Sequence, residues 1–488
     1  MRFKATLTRL IDSPIQLLIL LAGLQLIVSL LTSGFALSFD ESIWQYIGRN
    51  WFRHGLTPYE GGVDNKSPYI FAIYGLSDRL FGVNYWFPRI FATLFESFGV
   101  YFVYRIGKHL GGKGAGLFAL SLYGLSLLWK STDGKWVSVT ETYEVCFLLA
   151  SIWRFLSAHR PKDYLVSGIL ASLGIAFRIS GLFPFIALLL ASFRKGAKPG
   201  LALVGGTLVG ASASIAILLL AGIHPTEMIQ FGLTENFGAG STTDHSLLWR
   251  LENFADKFFY SELILFYPLL IAYGLYKKKL DLFWSWLIWV FVGIHLTGIY
   301  DRAHLKEILP PLSLMGGWAL AESIRRFKLA ERKVLLWVWI LFFPKLIEPA
   351  VSAKNGLAAA RKDANLSCDP PFTQPNDGER KRLGQWIESV TPDRERVLVA
   401  GFGAQVQAYS ERRSPTIYFN ATQTRVAEKV FQRQVLAQEP DLILVPRFPE
   451  YSRDVDPMLR NFIDSLVLRD YGLDSCQFGY SVYRRRAP

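Results

Sequence analysis

The chain has 488 residues, 51% of them hydrophobic and 15% aromatic, and carries a formal net charge of +13. Apolar runs recur over roughly the first 350 residues, several reaching the ~20 residues that a bilayer-crossing helix needs, which excludes a simple soluble globule. The basic residues gather in short loops between those runs and form no aromatic-laced basic face, so nucleic acid is excluded as a partner.

Arg2, Lys4 and Arg9 precede the apolar run 15–37. That run is too long for a signal-peptide core and further spans follow, so it reads as a retained first helix that starts in the cytoplasm. Asp40 and Glu41 therefore emerge outside. Ile43, Trp44, Ile47 and Trp51 fall at helical spacing, with Gln45, Arg49 and Arg53 between them. This predicts either an interfacial helix over 42–55 or a loop with interfacial Trp and Tyr. A second interfacial helix is predicted over 67–82.

Ten further spans are predicted near 88–107, 114–130, 142–157, 164–178, 180–193, 201–222, 259–276, 281–299, 308–324 and 334–350. Arg105, Lys108 and Lys113, then Arg160 and Lys162, Arg194 and Lys195, Lys277 to Lys279, and Arg325 to Lys333 mark the inner ends. The expected fold is a polytopic α-helical membrane protein of about eleven spans, N-terminus inside and C-terminus outside. Residues 1–350 form the transmembrane part, with a first outer loop at 38–87, and 351–488 a soluble extracytoplasmic α/β domain. In that tail, helices are predicted over 379–390, 405–410 and 425–437, and strands over 396–400, 416–419, 441–445 and 479–483. Gly401 and Gly403 follow a strand, but the third glycine and the acidic residue of a dinucleotide fingerprint are missing. Cys146 lies in a span; Cys368 and Cys476 share the tail, where pairing stays open.

The outer ends of different spans collect Asp40, Glu41, Lys66, Glu141, Arg178, Arg302, His304 and Lys306. Transfer of a sugar from a lipid phosphate needs a carboxylate to accept the proton of the incoming nucleophile, and cations to stabilise the departing phosphate. Each residue also has a plainer reading. Asp40 and Glu41 could cap the following helix, Lys66 could sit in a turn before Ser67-Pro68, and Glu141 could pair with Lys130 or Lys135. Arg178 and the Arg302, His304, Lys306 group could snorkel to headgroups. His224, Glu235, Asp244 and His245 match no metal-ligand spacing and read as solvated loop.

Phe39-Asp40-Glu41, Gly55-Leu56-Thr57-Pro58-Tyr59, Asn65-Lys66-Ser67-Pro68, Leu80-Phe81-Gly82 and Pro88-Arg89-Ile90 resemble the first outer loop of GT-C glycosyltransferases. The similarity is to the branch of protein O-mannosyltransferases and aminoarabinose transferases. Glu141 resembles that branch's second carboxylate, and His304-Leu305-Lys306-Glu307-Ile308-Leu309-Pro310-Pro311 its late segment. Ser67 and Leu305 depart from residues common in the family. The resemblance implies a polyprenyl-phosphate sugar donor, Asp40 as base, and Lys66 with the late basic segment near the donor phosphate.

The expected activity is inverting transfer of a sugar to an extracytoplasmic glycolipid, glycan or protein, in the plasma (inner) membrane. Catalytic residues are Asp40, Glu41 and Glu141; Lys66, Arg178, Arg302, His304 and Lys306 hold the phosphate. No metal ligands are assigned, and use of a divalent metal is left open. The rival classes are a flippase for lipid-linked saccharide, against which the absence of visible repeats and midplane charges counts, and a non-catalytic scaffold.

Overall fold

A computed structural model describes residues 13–32, 35–129, 136–234, 247–277, 281–297, 302–343, 347–361, 375–401, 403–420, 426–449, 451 and 455–486. Arg2, Lys4, Arg9, Lys130, Lys135, Glu235, Asp244, His245, Lys278, Lys279 and Cys368 lie outside these residues, and with Cys368 so does its pairing with Cys476. The chain forms two compact units. One joins residues 1–30, 89–217 and 244–351, and the other joins 31–88, 218–243 and 352–488.

The first unit is helical. Pro14–Leu31 has a mean hydropathy of 2.2 and Ala197–Leu220 one of 2.1; both are long and apolar enough to cross a membrane, and among the described residues three helices meet that test outright. Their side chains divide between two surroundings. Leu17 and Leu21 are packed in the core, whereas Ile15 (68% exposed) and Leu208 (62%) project outward. Contiguous outward apolar surface on this scale is what a bilayer covers. The expected spans 88–107 and 114–130 are two arms of one helical segment, Trp86–Ser126, broken at Gly112 with φ 86°. Only glycine adopts that backbone readily, and nothing lies within 4 Å of where a Cβ would stand. Thr140–Leu156, Pro161–Phe177, Leu182–Lys195, Leu282–Thr297 and Leu309–Phe327 match predicted spans. The predicted outer loop 223–257 instead ends in a helix, Leu247–Phe258, which bends by 52° into Glu262–Lys277. Leu247, Leu251, Phe254 and Phe258 recur at helical spacing there, an apolar stripe that the charges between them hide.

The second unit is built on the helix Phe39–His54. Its residues Glu41 to Asn50 are all buried, so the polar face that periodicity would leave to solvent is packed as well. Against it lies Pro68–Phe81, brought close by glycines. A Cβ on Gly48 would stand 2.4 Å from the Gly75 nitrogen and 2.4 Å from the Phe71 carbonyl oxygen. Arg53 Nε pairs with Asp78 at 2.9 Å, and Gln45 Nε2 donates to the other Asp78 oxygen at 3.0 Å. On another side the helix meets Ala404–Ser410: Arg49 donates to the Ala408 carbonyl at 2.6 Å, and Tyr409 OH accepts from the Leu37 N–H at 2.7 Å.

The C-terminal segment of this unit carries a four-stranded sheet of order β1-β2-β4-β3, where β1 is Val397–Val399, β2 Leu442–Pro446, β3 Tyr471–Gln477 and β4 Tyr480–Arg485. β1 and β2 are parallel and the other pairs antiparallel. Helices Asp377–Val390 and Glu428–Gln438 fall within a few residues of expectation. The predicted strand 416–419 is absent as a strand. Its groups bond elsewhere, Ile417 N–H to Gln434 Oε1 (3.2 Å) and the Ile417 carbonyl to Val63 N–H (3.0 Å). β3, which sequence reading missed, is held by a tight turn with Phe478 at φ 50° and Gly479 at φ 78°, the signature of a two-residue hairpin.

Candidate functional site

In the second unit the chemistry gathers where the Phe39–His54 helix begins. Ser38 is its N-cap: Ser38 Oγ accepts from Glu41 N–H (3.4 Å), and Glu41 Oε2 accepts from Ser38 N–H (2.8 Å). This reciprocal box satisfies two orphan donors of the first turn. The second Glu41 oxygen accepts from Tyr74 OH at 3.1 Å. Glu41 is fully buried and both its oxygens are engaged, so it fixes the helix start. Asp40, its half-buried neighbour, stands in the same first turn, where helix dipole and N–H groups favour negative charge.

The loop that follows brings back a second acid. Asp64 is 4% exposed and accepts from Trp44 Nε1 at 3.0 Å. Burial pushes its carboxyl above the ordinary range, Lys66 pulls it back, and Asp40 adds to the upward push. Lys66 donates to Asn65 Oδ1 and forms no ion pair among the described residues. Tyr59 pins this loop from the left-handed region (φ 77°), its N–H donating to the Gly62 carbonyl (2.9 Å) and its OH to the Lys66 carbonyl (3.1 Å). A non-glycine residue held at positive φ stores strain that the surroundings must impose. Phe231 stacks on its ring at 5.4 Å.

The first unit holds two polar clusters. In one, Lys306 Nζ lies 2.9 Å from Glu96 Oε1 and 3.3 Å from Thr142 Oγ1. Gln25 Nε2 and Thr142 Oγ1 also donate to Glu96. Lys306 is 1% exposed. In the other, one guanidinium serves three acids. Arg178 meets Glu141 at 2.8 Å, Glu307 at 3.1 Å and Glu144 at 3.8 Å. Ser180 Oγ donates to Glu307 at 2.9 Å. Burial pushes the Glu307 carboxyl up; Arg178 opposes this and Glu141 reinforces it. The Arg178 guanidinium is thus shared among three carboxyls, and burial favours the neutral form of Glu307.

The predicted residues thus fall into two groups by unit: Asp40, Glu41 and Lys66 in the second, Glu141, Arg178, Arg302, His304 and Lys306 in the first. Arg302 and His304 are half-buried on the turn Arg302–Glu307. Sequence reading passed over Glu96, Glu144, Glu307 and Asp64. Glu96 and Glu144 were detectable as lone acids inside apolar runs. Among the described residues no three His, Cys, Asp or Glu side chains are grouped to hold a metal ion.

Residues 65–219 match the family described as dolichyl-phosphate-mannose-protein mannosyltransferase. The fold is that of ArnT from Cupriavidus metallidurans, solved bound to undecaprenyl phosphate, with TM-score 0.62 and 14% identity over 96% of this chain and 98% of that one. It is also similar to the Archaeoglobus fulgidus oligosaccharyltransferase solved with zinc and sulfate, with TM-score 0.57 and 11% identity over 94% of this chain and 73% of that one. The chain shares the fold of both structures. A third structure, the archaeal AglB with an inhibitory peptide and a dolichol-phosphate, shares the fold at TM-score 0.56 and 10% identity, over 89% of this chain and 69% of that one. No curated protein sequence matches. The family match opens at Asn65 and takes in Lys66, Glu96, Glu141, Glu144 and Arg178.

Proposed function

We propose that the transferase moves a sugar from a polyprenyl-phosphate donor to an acceptor outside the plasma membrane, in a fold of about eleven spans with N-terminus inside and C-terminus outside. The observation that carries this reading is Asp40 on the first turn of a helix whose start is locked by Ser38, Glu41 and Tyr74, in a chain of GT-C fold. A base must be held still, and a capped, buried helix start does that.

Asp40 accepts the proton of the acceptor hydroxyl or amine as its lone pair attacks the anomeric carbon. The bond from that carbon to the phosphate oxygen breaks, and polyprenyl phosphate leaves with the electron pair. One displacement inverts the anomeric centre. Lys66 forms no ion pair among the described residues, and we assign it to the phosphate. Arg178 with Glu141, Glu144 and Glu307 orients the acceptor, and Lys306 positions Glu96. Nucleotide sugars are not available outside a cell membrane, whereas lipid-linked ones are. The relatives solved with undecaprenyl phosphate and dolichol-phosphate support that donor class.

The test is turnover in nanodiscs given polyprenyl-phosphate sugars and mixed envelope acceptors. Release of polyprenyl phosphate matched by glycosylated acceptor is expected. Movement of intact lipid-linked saccharide between leaflets, with no product, would establish the flippase instead.

A further inference from the structure

The second unit holds a cavity of about 260 Å³ that none of the chemistry above uses. Its walls come from the Phe39–His54 helix (Tyr46, Asn50), the turn after it (Leu56, Glu60), the strap 413–417 and the end of the helix Glu428–Gln438. Two arginines line it, Arg396 at the entry to β1 and Arg413 beside it; their backbones form a parallel bridge. Neither makes an ion pair among the described residues. Burial, then the neighbouring Arg413 charge, pushes the Arg396 guanidinium below its usual range.

The two acids near this pair accept hydrogen bonds from other groups and form no ion pair with it. Asp441 Oδ2 accepts from the Arg396 backbone N–H at 2.7 Å. Glu60 Oε2 accepts from Thr57 N–H (3.2 Å) and Oγ1 (2.6 Å). The remaining walls are pinned as well. Tyr46 OH takes the Ser414 N–H at 2.8 Å, Asn50 Nδ2 donates to the Gly61 carbonyl at 2.6 Å, and Gln434 Oε1 accepts from Thr416 Oγ1 at 2.8 Å. That leaves two cations, the Gln434 amide N–H₂ and apolar surface from Leu56, Pro415 and Ile417 facing one small space. Two like charges line this partly buried cavity against the single carboxylate of Glu60, and that excess favours an anion. The mix of apolar wall and few fixed polar groups suits a ring-sized polar ligand.

We propose that this cavity binds an anionic saccharide unit, a sugar carrying a carboxylate or a phosphate, with Arg396 and Arg413 on the anion and Gln434 on a ring hydroxyl. The site is separate from the transfer chemistry, because none of its residues belongs to the carboxylate clusters.

Calorimetry on the full chain in detergent, at low salt, would use glucuronate, glucose 6-phosphate, glucose and inorganic phosphate as probes. Glucuronate or glucose 6-phosphate is expected to bind at least about tenfold tighter than both glucose, which lacks the charge-assisted contacts, and inorganic phosphate, which lacks the ring contacts. Which charged sugar binds tighter tells carboxylate from phosphate. Arg396→Gln with Arg413→Gln should weaken that binding about tenfold or more, and the Lys pair Arg396→Lys, Arg413→Lys should recover part of it. Equal binding of glucose, equal binding of bare phosphate, no saturable binding, or an unchanged Gln pair would each overturn the proposal. Should the Gln pair fail to fold, the ratio of charged to neutral sugar on the unaltered chain decides. Binding is read without turnover, so an inactive transferase would leave this result intact.

Discussion

Lys306 was expected on the donor phosphate, and it lies 1% exposed against Glu96, which is 7% exposed, at 2.9 Å. Lys306→Met keeps the length of the side chain and removes the charge. Glu96 would then keep only the Gln25 and Thr142 donors. Removing one partner of a buried pair costs about 3–5 kcal/mol, because the remaining charge is uncompensated. At about 2–4 °C per kcal/mol for a unit of this size, the midpoint should fall by roughly 10 °C. Glu96→Gln combined with Lys306→Met removes both charges and should return stability to within about 1.5 kcal/mol of the parent. The assay is thermal unfolding of all four proteins of the cycle in one detergent, alongside transfer rates, so that the coupling is isolated. Stability and turnover should be restored together. A double variant that melts like the parent yet stays inactive would refute the reasoning and return Lys306 to the donor phosphate.

Other outcomes follow from the same geometry. Asp64 has a raised carboxyl pKa, so its favourable contribution is complete below the unfolded value and is lost as pH rises through the folded one. Asp64→Asn, which can still accept from Trp44, should therefore gain on the parent in midpoint as pH rises from the ordinary carboxylate range, about 4, upward; a constant difference would contradict the burial argument. Gly48→Ala drives a methyl into the Gly75 and Phe71 backbones, and should lower stability by about 1–3 kcal/mol or more in denaturant titrations. Glu41→Gln should cost about 0.5–2 kcal/mol through the weakened cap, with transfer lost in proportion to the misplaced helix start; full activity at full stability would remove Glu41 from positioning Asp40.

Much of the fold was legible because lipid-facing helices announce themselves by long apolar runs and basic inner ends, as in Pro14–Leu31 and Ala197–Leu220. The helix at Phe39–His54 was visible from the spacing of Trp44, Ile47 and Trp51, but not its burial on every side, since that depends on Ala404–Ser410, more than 350 residues away in the chain. β3 escaped because Tyr471–Gln477 has few branched residues and draws its pairing from β4. In the candidate site, charged residues at span ends were readable one by one. Their partners were not: nothing local links Lys306 to Glu96 or Arg178 to Glu307, and those long-range pairs decide which cations remain for a phosphate.

The measurement that bears most directly on the central claim is the transfer rate of Asp40→Asn, with lipid-linked sugar and acceptor supplied and expression and melting matched to the parent. Loss of the base should lower turnover by about 10²–10⁴-fold with donor binding retained. Turnover near the parent's rate would show that Asp40 is not the base.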